Sequence, residues 1–510
     1  MALENVSPVQ PVFNLNFGEV DSETSKVLTA AADLAAKNPS ILAAVAADQD
    51  AHGLRKKRER QALKAEANGS PTLAGLANAS NRGPGPVFLS TGRPRLPAET
   101  VFLFMVLRGL YGSVTDAVAA DRFVESLSVR LYLENRGMLM PGLTTLLENV
   151  NALSNRTRDL IVDAQVDLIM VEGLDDGSEL IVDSTAVAGA TAFPCEARLM
   201  LHFVTRASKG LRVLEKLGMP RFRPGWTDRW LKEGKSLLFQ HNVARTKVKK
   251  RKFHKRLSKC VRNTVEHLLV VLREMRRFWQ ANAMPPRTSR LVRECLDEAA
   301  HDLLDAARVL DQADRRILDG ENVPMAEKVM SVCEADASII VKGGREPVFG
   351  YKPGLARGGN GFVYGLRLQA GNPADAPELE PLVRQAIMRT GKVPASVIAD
   401  DGYASKSGVN ALKARGVLEV TINGSKGKKL TPPDEWDAPE AQERRNRRSA
   451  VESLMFTLKY VVEFGRMRRR GLEAVRAEML EKIIAYNFRR IIQVRETKDM
   501  EEELRRRKAA

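Results

Sequence analysis

Cysteine is scarce: four residues in a chain of 510, Cys195, Cys260, Cys295 and Cys333, with no CxxC pair. Thiols so few and so far apart exclude a disulfide framework and the paired ligands of a structural zinc, and they fit a reducing compartment. Histidine is sparse as well, and the six residues form no HExxH or HxH set, which removes the zinc-hydrolase patterns. His202 reads as structural. Long apolar runs are missing too. Leu268 to Leu272 is far too short to span a bilayer, and the opening MALENVSPVQ has neither a basic n-region nor an apolar h-region, so no membrane span and no signal peptide are expected. Finally, acid is short: 63 Asp and Glu against 80 Lys and Arg, net +17, pI near 9.7. That balance points to a polyanionic partner, nucleic acid before an anionic membrane.

What is present reads as helical flanks around a β-containing centre. The length and a hydrophobic content of 44% allow roughly two to four domains. Residues 1–92 read as an appendage. The Ala-rich TAAADLAAK and ILAAVAAD predict one or two helices, LRKKRERQALKAE a basic helical run, and ANGSPTLAGLANASNRGPGP a linker. Residues 93–178 predict a helical domain opened by Pro97 and Glu99 ahead of AETVFLFMVLRGLYG. ELIVDSTAVAG, from Glu179, is a short β-branched run and reads as a buried strand. Residues 205–330 return to long helices. From 331 the pattern gives strands SIIVKG and NGFVYGLRLQAG, a helix PELEPLVRQAIMRTG stopped by Gly391, the strand of ASVIADDGYAS, a short helix, the strand VLEVTING and a last helical stretch from Arg444. GGNG at 358–361 reads as a hairpin turn. This order predicts an α/β (α+β) fold: a mixed sheet with helices on its faces, split so that 179–204 joins 331–490 across a basic helical insertion, with 491–510 as a charged tail.

Three acids stand where a metal site would want them. Asp183 lies within an apolar strand, where an uncompensated carboxylate costs several kcal/mol. Asp400 ends the apolar run SVIA, and strand C-terminal ends in α/β sheets commonly carry function. Glu452 has Arg448 four residues before it and Lys459 seven after, which at the helical repeat puts them on one face, joined by Arg445. The stripe Val451, Leu454, Leu458 and Val461 would anchor that helix on the sheet. Taken alone, Arg448 and Glu452 read equally as a solvated i,i+4 ion pair worth a few tenths of a kcal/mol. RTKVKKRKFHKRLSK, residues 245–259, carries nine Lys or Arg in fifteen residues and no acid. It is either a solvated helix face or a phosphate-contacting surface centred on Lys249, Lys250, Arg251 and Lys252. Trp226 and Trp230, with Arg221, Arg223 and Arg229 nearby, read either as core or as residues that stack on bases. Asp336 and Asp375 are rival acids, Asp375 reading better as a loop or cap residue.

Asp183 with Ser184, Thr185, Pro194 and Arg198-Leu199 resembles the first-aspartate segment of bacterial insertion-sequence transposases with an RNase H-like core. GYKPGLARGGNGFVYGLRLQAGNPADAPELEPLV is similar to the strand pair and helix of that core, and ADDGYAS to its second-aspartate motif, with Asp400 rather than Asp401 in the ligand position. The last helical stretch resembles the signature Tyr-x2-Arg-x3-Glu-x6-Lys through Arg448, Glu452 and Lys459, with Arg445 standing in place of Tyr. Asn487 in IIAYNFRRII resembles the closing helix. The resemblance implies an RNase H-like sheet, an N-terminal helical DNA-binding domain, and a DDE transposase. It further implies catalysis of DNA cleavage and strand transfer with two Mg²⁺ ions (Mn²⁺ as substitute) held by Asp183, Asp400 and Glu452. Lys459, Arg448 and Arg445 would hold phosphates. The implied partners are double-stranded DNA, as terminal inverted repeats and target, and a second copy of the chain in a homodimer. The implied setting is the bacterial cytoplasm at the nucleoid. A transposase-derived repressor and a nuclease without strand transfer are the other readings.

Overall fold

The computed structural model describes residues 23–67, 95–112, 114–191, 195–220, 226–324, 327–331, 334, 336–341 and 346–509. The linker before residue 95, Pro194, Arg221, Arg223, the Trp226 side chain and Cys333 lie outside the described residues.

Five strands make the central sheet: β1 (Glu179–Ser184), β5 (Gly354–Gly358), β6 (Val363–Arg367), β7 (Ser396–Ala399) and β8 (Glu419–Ile422), in the order β6-β5-β1-β7-β8. β1 runs antiparallel to β5, and β5 to β6, whereas β7 lies parallel to β1 and β8 parallel to β7. Taking these five in chain order, the sheet reads third, second, first, fourth, fifth, the RNase H-like arrangement. The two parallel connections need crossovers. They are supplied by the helix Leu379–Thr390, which Gly391 ends in the left-handed region, and by the short helix Lys406–Ala414. The β5–β6 hairpin turns through Gly358–Gly361, with Gly361 at φ +92° and its N–H on the Gly358 carbonyl.

A second, three-stranded sheet pairs β2 (Val187–Ala188), β4 (Val348–Tyr351) and β3 (Ser338–Ile340). The strand expected at SIIVKG is therefore found, over Ser338–Ile340, in this small sheet and not in the central one. Pro353 follows β4 and has no N–H to extend a ladder; its carbonyl instead accepts from Thr185 N–H at the end of β1.

β6 is an edge strand, and its exposed side is covered. The long helix Leu472–Ala509 lies along it, and the Asn487 side chain both accepts from Val363 N–H and donates to Val363 carbonyl, each at 3.0 Å. This accounts for a fully buried Asn among the apolar residues Ile483, Ile484, Phe488 and Ile491. The same helix packs on Ala98–Leu110, and the two N-terminal helices Glu23–Lys37 and Pro39–Ala67 join that layer through Val27, Leu34 and Ile41. Residues 95–171 thus share one continuous core with the sheet.

The insertion has a core of its own. Helices Glu196–Lys216, Trp226–Val243, Lys247–Ala281 and Pro286–Asp314 enclose Leu199, Phe203, Leu257, Val261, Leu268, Val292 and Val309, none of which enters the main core. Leu199 and Phe203 lie before residue 205, so the insertion begins at the first of these helices, directly after β2. The helix is amphipathic from its start and has only one face to bury.

Candidate catalytic site

Strand register builds the centre. Val182 stands opposite Ala399 in the parallel β1–β7 pair. One residue further on, Asp183 and Asp400 leave adjacent strand ends. Asp183 is buried, at 8% exposure, and its carboxylate accepts from Ser184 N–H at 2.7 Å. Asp400 accepts from Gly402 N–H at 3.0 Å, closing the turn into the single 3-10 turn Asp401–Tyr403. A Cβ at Gly402 would sit 2.9 Å from Asp375 Oδ2 and 3.1 Å from Asp400 Oδ1, so a glycine there lets two carboxylates flank the turn. Asp401 points elsewhere. Its Oδ1 accepts from Lys426 N–H at 2.7 Å and Gly427 N–H at 3.1 Å, capping the helix Ser425–Leu430. That contact needs Gly424, whose φ of +106° and close approach to Asp401 leave no room for a side chain.

Glu452 comes from the facing helix Ser449–Val461, pinned by buried Val451, Leu454 and Leu458; Val461 stays exposed. This helix is separate from Pro439–Arg447. Asn423 Nδ2 donates to the Arg445 carbonyl and Ser449 Oγ to the Asn446 carbonyl. The acceptors that would carry one helix through are taken, and the chain steps at Arg448. Arg445 consequently does not share the Glu452 face. It stacks on Trp436, 4.2 Å from the ring centre, and donates to the Trp436 carbonyl at 2.8 Å.

Arg448, at the step, reaches all three acids. Its Nη2 lies 3.7 Å from Asp183 Oδ2 and 3.8 Å from Asp400 Oδ2, and its Nη1 lies 3.9 Å from Glu452 Oε1. Glu452 is the open member, its side chain 71% exposed against 12% for Asp183. Beneath them Tyr403 is fully buried. Burial pushes its phenol well above the ordinary value, and the charges of Asp375, Asp183 and Asp400 push it further. Asp375 is thus a fourth carboxylate beside the centre, answered by Lys352 Nζ at 2.8 Å. Lys352 went unread in the sequence; its only signal is a cation placed before Pro353 at a strand end.

The donors fit a hard divalent cation in kind: carboxylate oxygens from three elements around one positive group. With the guanidinium among them, no three His, Cys, Asp or Glu side chains among the described residues stand close enough to hold a metal ion. Lys459 is half-buried further along the same helix, and Lys249, Lys250, Arg251 and Lys252 are exposed at the start of Lys247–Ala281.

Elsewhere the rival sites resolve into structure. Asp336 accepts from Leu472 N–H at the start of the last helix. Trp230 is buried, edge-on to His267 at 5.4 Å. Burial first, then Glu233, raises the Cys260 thiol to about 12. No helix among the described residues is long and apolar enough to cross a membrane.

Strand order and the acids at the ends of β1 and β7 define the class, an RNase H-like core. Residues 311–488 match the family model described as Transposase DDE domain. The match spans about a third of the chain, including Asp400, Arg448, Glu452 and Lys459; Asp183 and most of the insertion precede it. No curated protein and no solved structure gives a significant match.

Proposed function

We propose that this chain is the transposase of a bacterial insertion sequence: it binds terminal inverted repeats and catalyses divalent-metal-dependent DNA cleavage and strand transfer. The observation that carries the reading is the convergence of Asp183, Asp400 and Glu452, from two strands and a facing helix, on the single cation of Arg448. Those three residues would hold Mg²⁺, with Mn²⁺ as substitute. A metal held there would supply Lewis-acid polarisation of a phosphoryl oxygen and would make a water or 3′-hydroxyl more acidic. The chain supplies position. Asp183 and Asp400 are fixed by their own backbone hydrogen bonds, while Glu452 approaches from a separate element. Arg448, once exchanged from the carboxylates, has phosphate as its natural anion, and Lys459 extends the same cationic edge. Arg445, held by Trp436, would contribute charge rather than direct contact. Lys249, Lys250, Arg251 and Lys252 would follow a duplex backbone. Two ends must be joined together, so the active form is taken as a homodimer on DNA in the cytoplasm.

The test is a strand-transfer assay in Mg²⁺ with DNA carrying the inverted repeats that flank the gene. Wild type joins ends and Asp400→Ala does not. Repeat binding without cleavage by either protein would leave a repressor, and cleavage without joining a nuclease.

A further inference from the structure

We propose that Lys352 sets the ion preference of the carboxylate site: it holds Asp375 out of the ligand set, leaves three carboxylates for the metal, and so selects Mg²⁺ over Ca²⁺. The inference rests on the metal-dependent reading of Asp183, Asp400 and Glu452. Four carboxylates meet here. A Cβ on Gly402 would lie 2.9 Å from Asp375 Oδ2 and 3.1 Å from Asp400 Oδ1, so both acids close over one glycine. Asp375, Asp183 and Asp400 all lie close enough to act on the buried phenol of Tyr403. Two cations answer the four acids, and they are held differently. Arg448 stands 3.7, 3.8 and 3.9 Å from its three, beyond hydrogen-bond length, and its buried Nε has no hydrogen-bond partner among the described residues. Lys352 Nζ sits 2.8 Å from Asp375 Oδ2 and 3.1 Å from the Pro373 carbonyl, with 10% of its side chain exposed. Only the loose cation is poised to give way to an ion.

Stability does not account for the Lys352–Asp375 pair, because a buried ion pair gains little over apolar residues of the same size. Nor is Asp375 a cap. It precedes the turn Ala376–Glu378, yet its side chain accepts from no N–H there. Lys352 is fixed in place. It joins β4 to β5 beside Pro353, whose carbonyl takes Thr185 N–H, two residues past Asp183. Masking Asp375 leaves coordination positions for water and phosphate oxygens. That suits Mg²⁺, which keeps an octahedron and several waters. Ca²⁺ takes roughly six to eight oxygens in looser geometry and gains more from a fourth carboxylate.

The experiment uses the full chain, stripped of metal and free of DNA. Bound Mn²⁺ is read by EPR and then competed with Mg²⁺ and with Ca²⁺. Loss of one nearby charge acts alike on all three divalent ions, so the ratio of the Mg²⁺ and Ca²⁺ constants reports the ligand set. Lys352→Met should shift that ratio toward Ca²⁺ by about tenfold. Lys352→Met/Asp375→Asn should return it to within about twofold of wild type. Asp375→Asn alone, which keeps the shape of the side chain, should leave the ratio unchanged. An unchanged ratio in Lys352→Met overturns the proposal and makes the pair structural. So does a ratio that moves toward Mg²⁺ in Asp375→Asn, which would make Asp375 a ligand already. Equal Mn²⁺ binding by wild type and Asp400→Ala, or none by either, takes the ion away from the three acids and removes the metal-dependent reading along with the proposal.

Discussion

Asp400 and Asp401 follow one another at the end of β7 and make unrelated contacts, one toward Arg448 and one to the backbone of Lys426 and Gly427. Asp401→Ala should behave as a lost cap: about 1 kcal/mol and a melting temperature lower by a few degrees, with strand joining retained. Asp400→Asn should melt within about 2 °C of wild type, because its amide oxygen still accepts from Gly402 N–H, and should join no ends. Joining lost in Asp401→Ala, with melting unchanged, would reverse the assignment. Arg448 makes a second test. Without it, three carboxylates face one another with no cation between them. Arg448→Met is expected to melt below wild type in EDTA and to gain more from millimolar Mg²⁺, by about 2 °C or more. Equal gains by both proteins would mean that the arginine and the ion do not compete. The motif singled out Asp400 over Asp401, but pattern could not show it beside Asp183, a placement that follows from β1 and β7 ending together. Nor could spacing show Arg448 inside the triad, because an i,i+4 pair on a helix looks the same whether it faces solvent or two more acids.

At the level of elements, legibility followed periodicity and failed where side chains override it. The hairpin at GGNG and the stop at Gly391 were readable, since both need a left-handed glycine. The step at Arg448 was not, since it depends on Asn423, a residue of the β8 turn that reaches the Arg445 carbonyl from outside the helix. SIIVKG was readable as a strand but not as a member of the smaller sheet, because a three-residue β strand carries no signal of its partner. The basic helix Lys247–Ala281 is the element whose role the charge pattern leaves open. Several of its cations are already paired, Arg262 with Asp314 at 2.5 Å and Arg276 with Asp297 at 2.6 Å. Lys249, Lys250 and Lys252 are exposed near its start, where Arg251 Nε donates to the Ile317 carbonyl at 3.1 Å. If they ride on phosphates, Lys249→Gln/Lys250→Gln/Lys252→Gln should flatten the slope of log Kd against log salt by about 0.9 per lost contact, nearly 3 for all three. A slope unchanged within error would return this stretch to a solvated helix face.

Across the whole molecule, the helices that flank the sheet and the segment after the Glu452 helix are tied by one buried cluster. Glu481, on the last helix, accepts from Arg108 at 2.7 and 3.0 Å, from Arg158 at 2.7 and 2.9 Å, and from Arg469 at 2.8 and 3.1 Å. These residues come from the helix Ala98–Leu110, the helix Asn155–Val171 and the segment after the Glu452 helix. Gly109 lets the first of them approach so closely that a Cβ would meet the Glu481 carbonyl at 2.1 Å. In sequence Glu481 is one acid among many on a long helix, and nothing local marks it, because its partners lie up to 373 residues away. Burial alone would raise its carboxyl pKa, but Arg108, Arg469 and Arg158 outweigh burial and hold it well below the ordinary carboxylate range. Burial likewise lowers Arg108, to about 10, against the pull of Glu481. The native state therefore keeps Glu481 ionised where the unfolded chain, with a carboxyl near about 4.3, has begun to bind a proton. This share of stability is complete above about pH 5 and drains away as pH falls through the carboxylate range toward the depressed native value. Glu481→Gln strands three arginines around a neutral amide, and breaking a buried ion pair costs roughly 3–5 kcal/mol. Calorimetry should find the variant much less stable at pH 7 and its melting temperature less dependent on pH between 5 and 3. A variant that melts with wild type at pH 7 and shows the same acid slope would mean that the cluster contributes nothing net, its Coulomb gain spent on desolvating four charges.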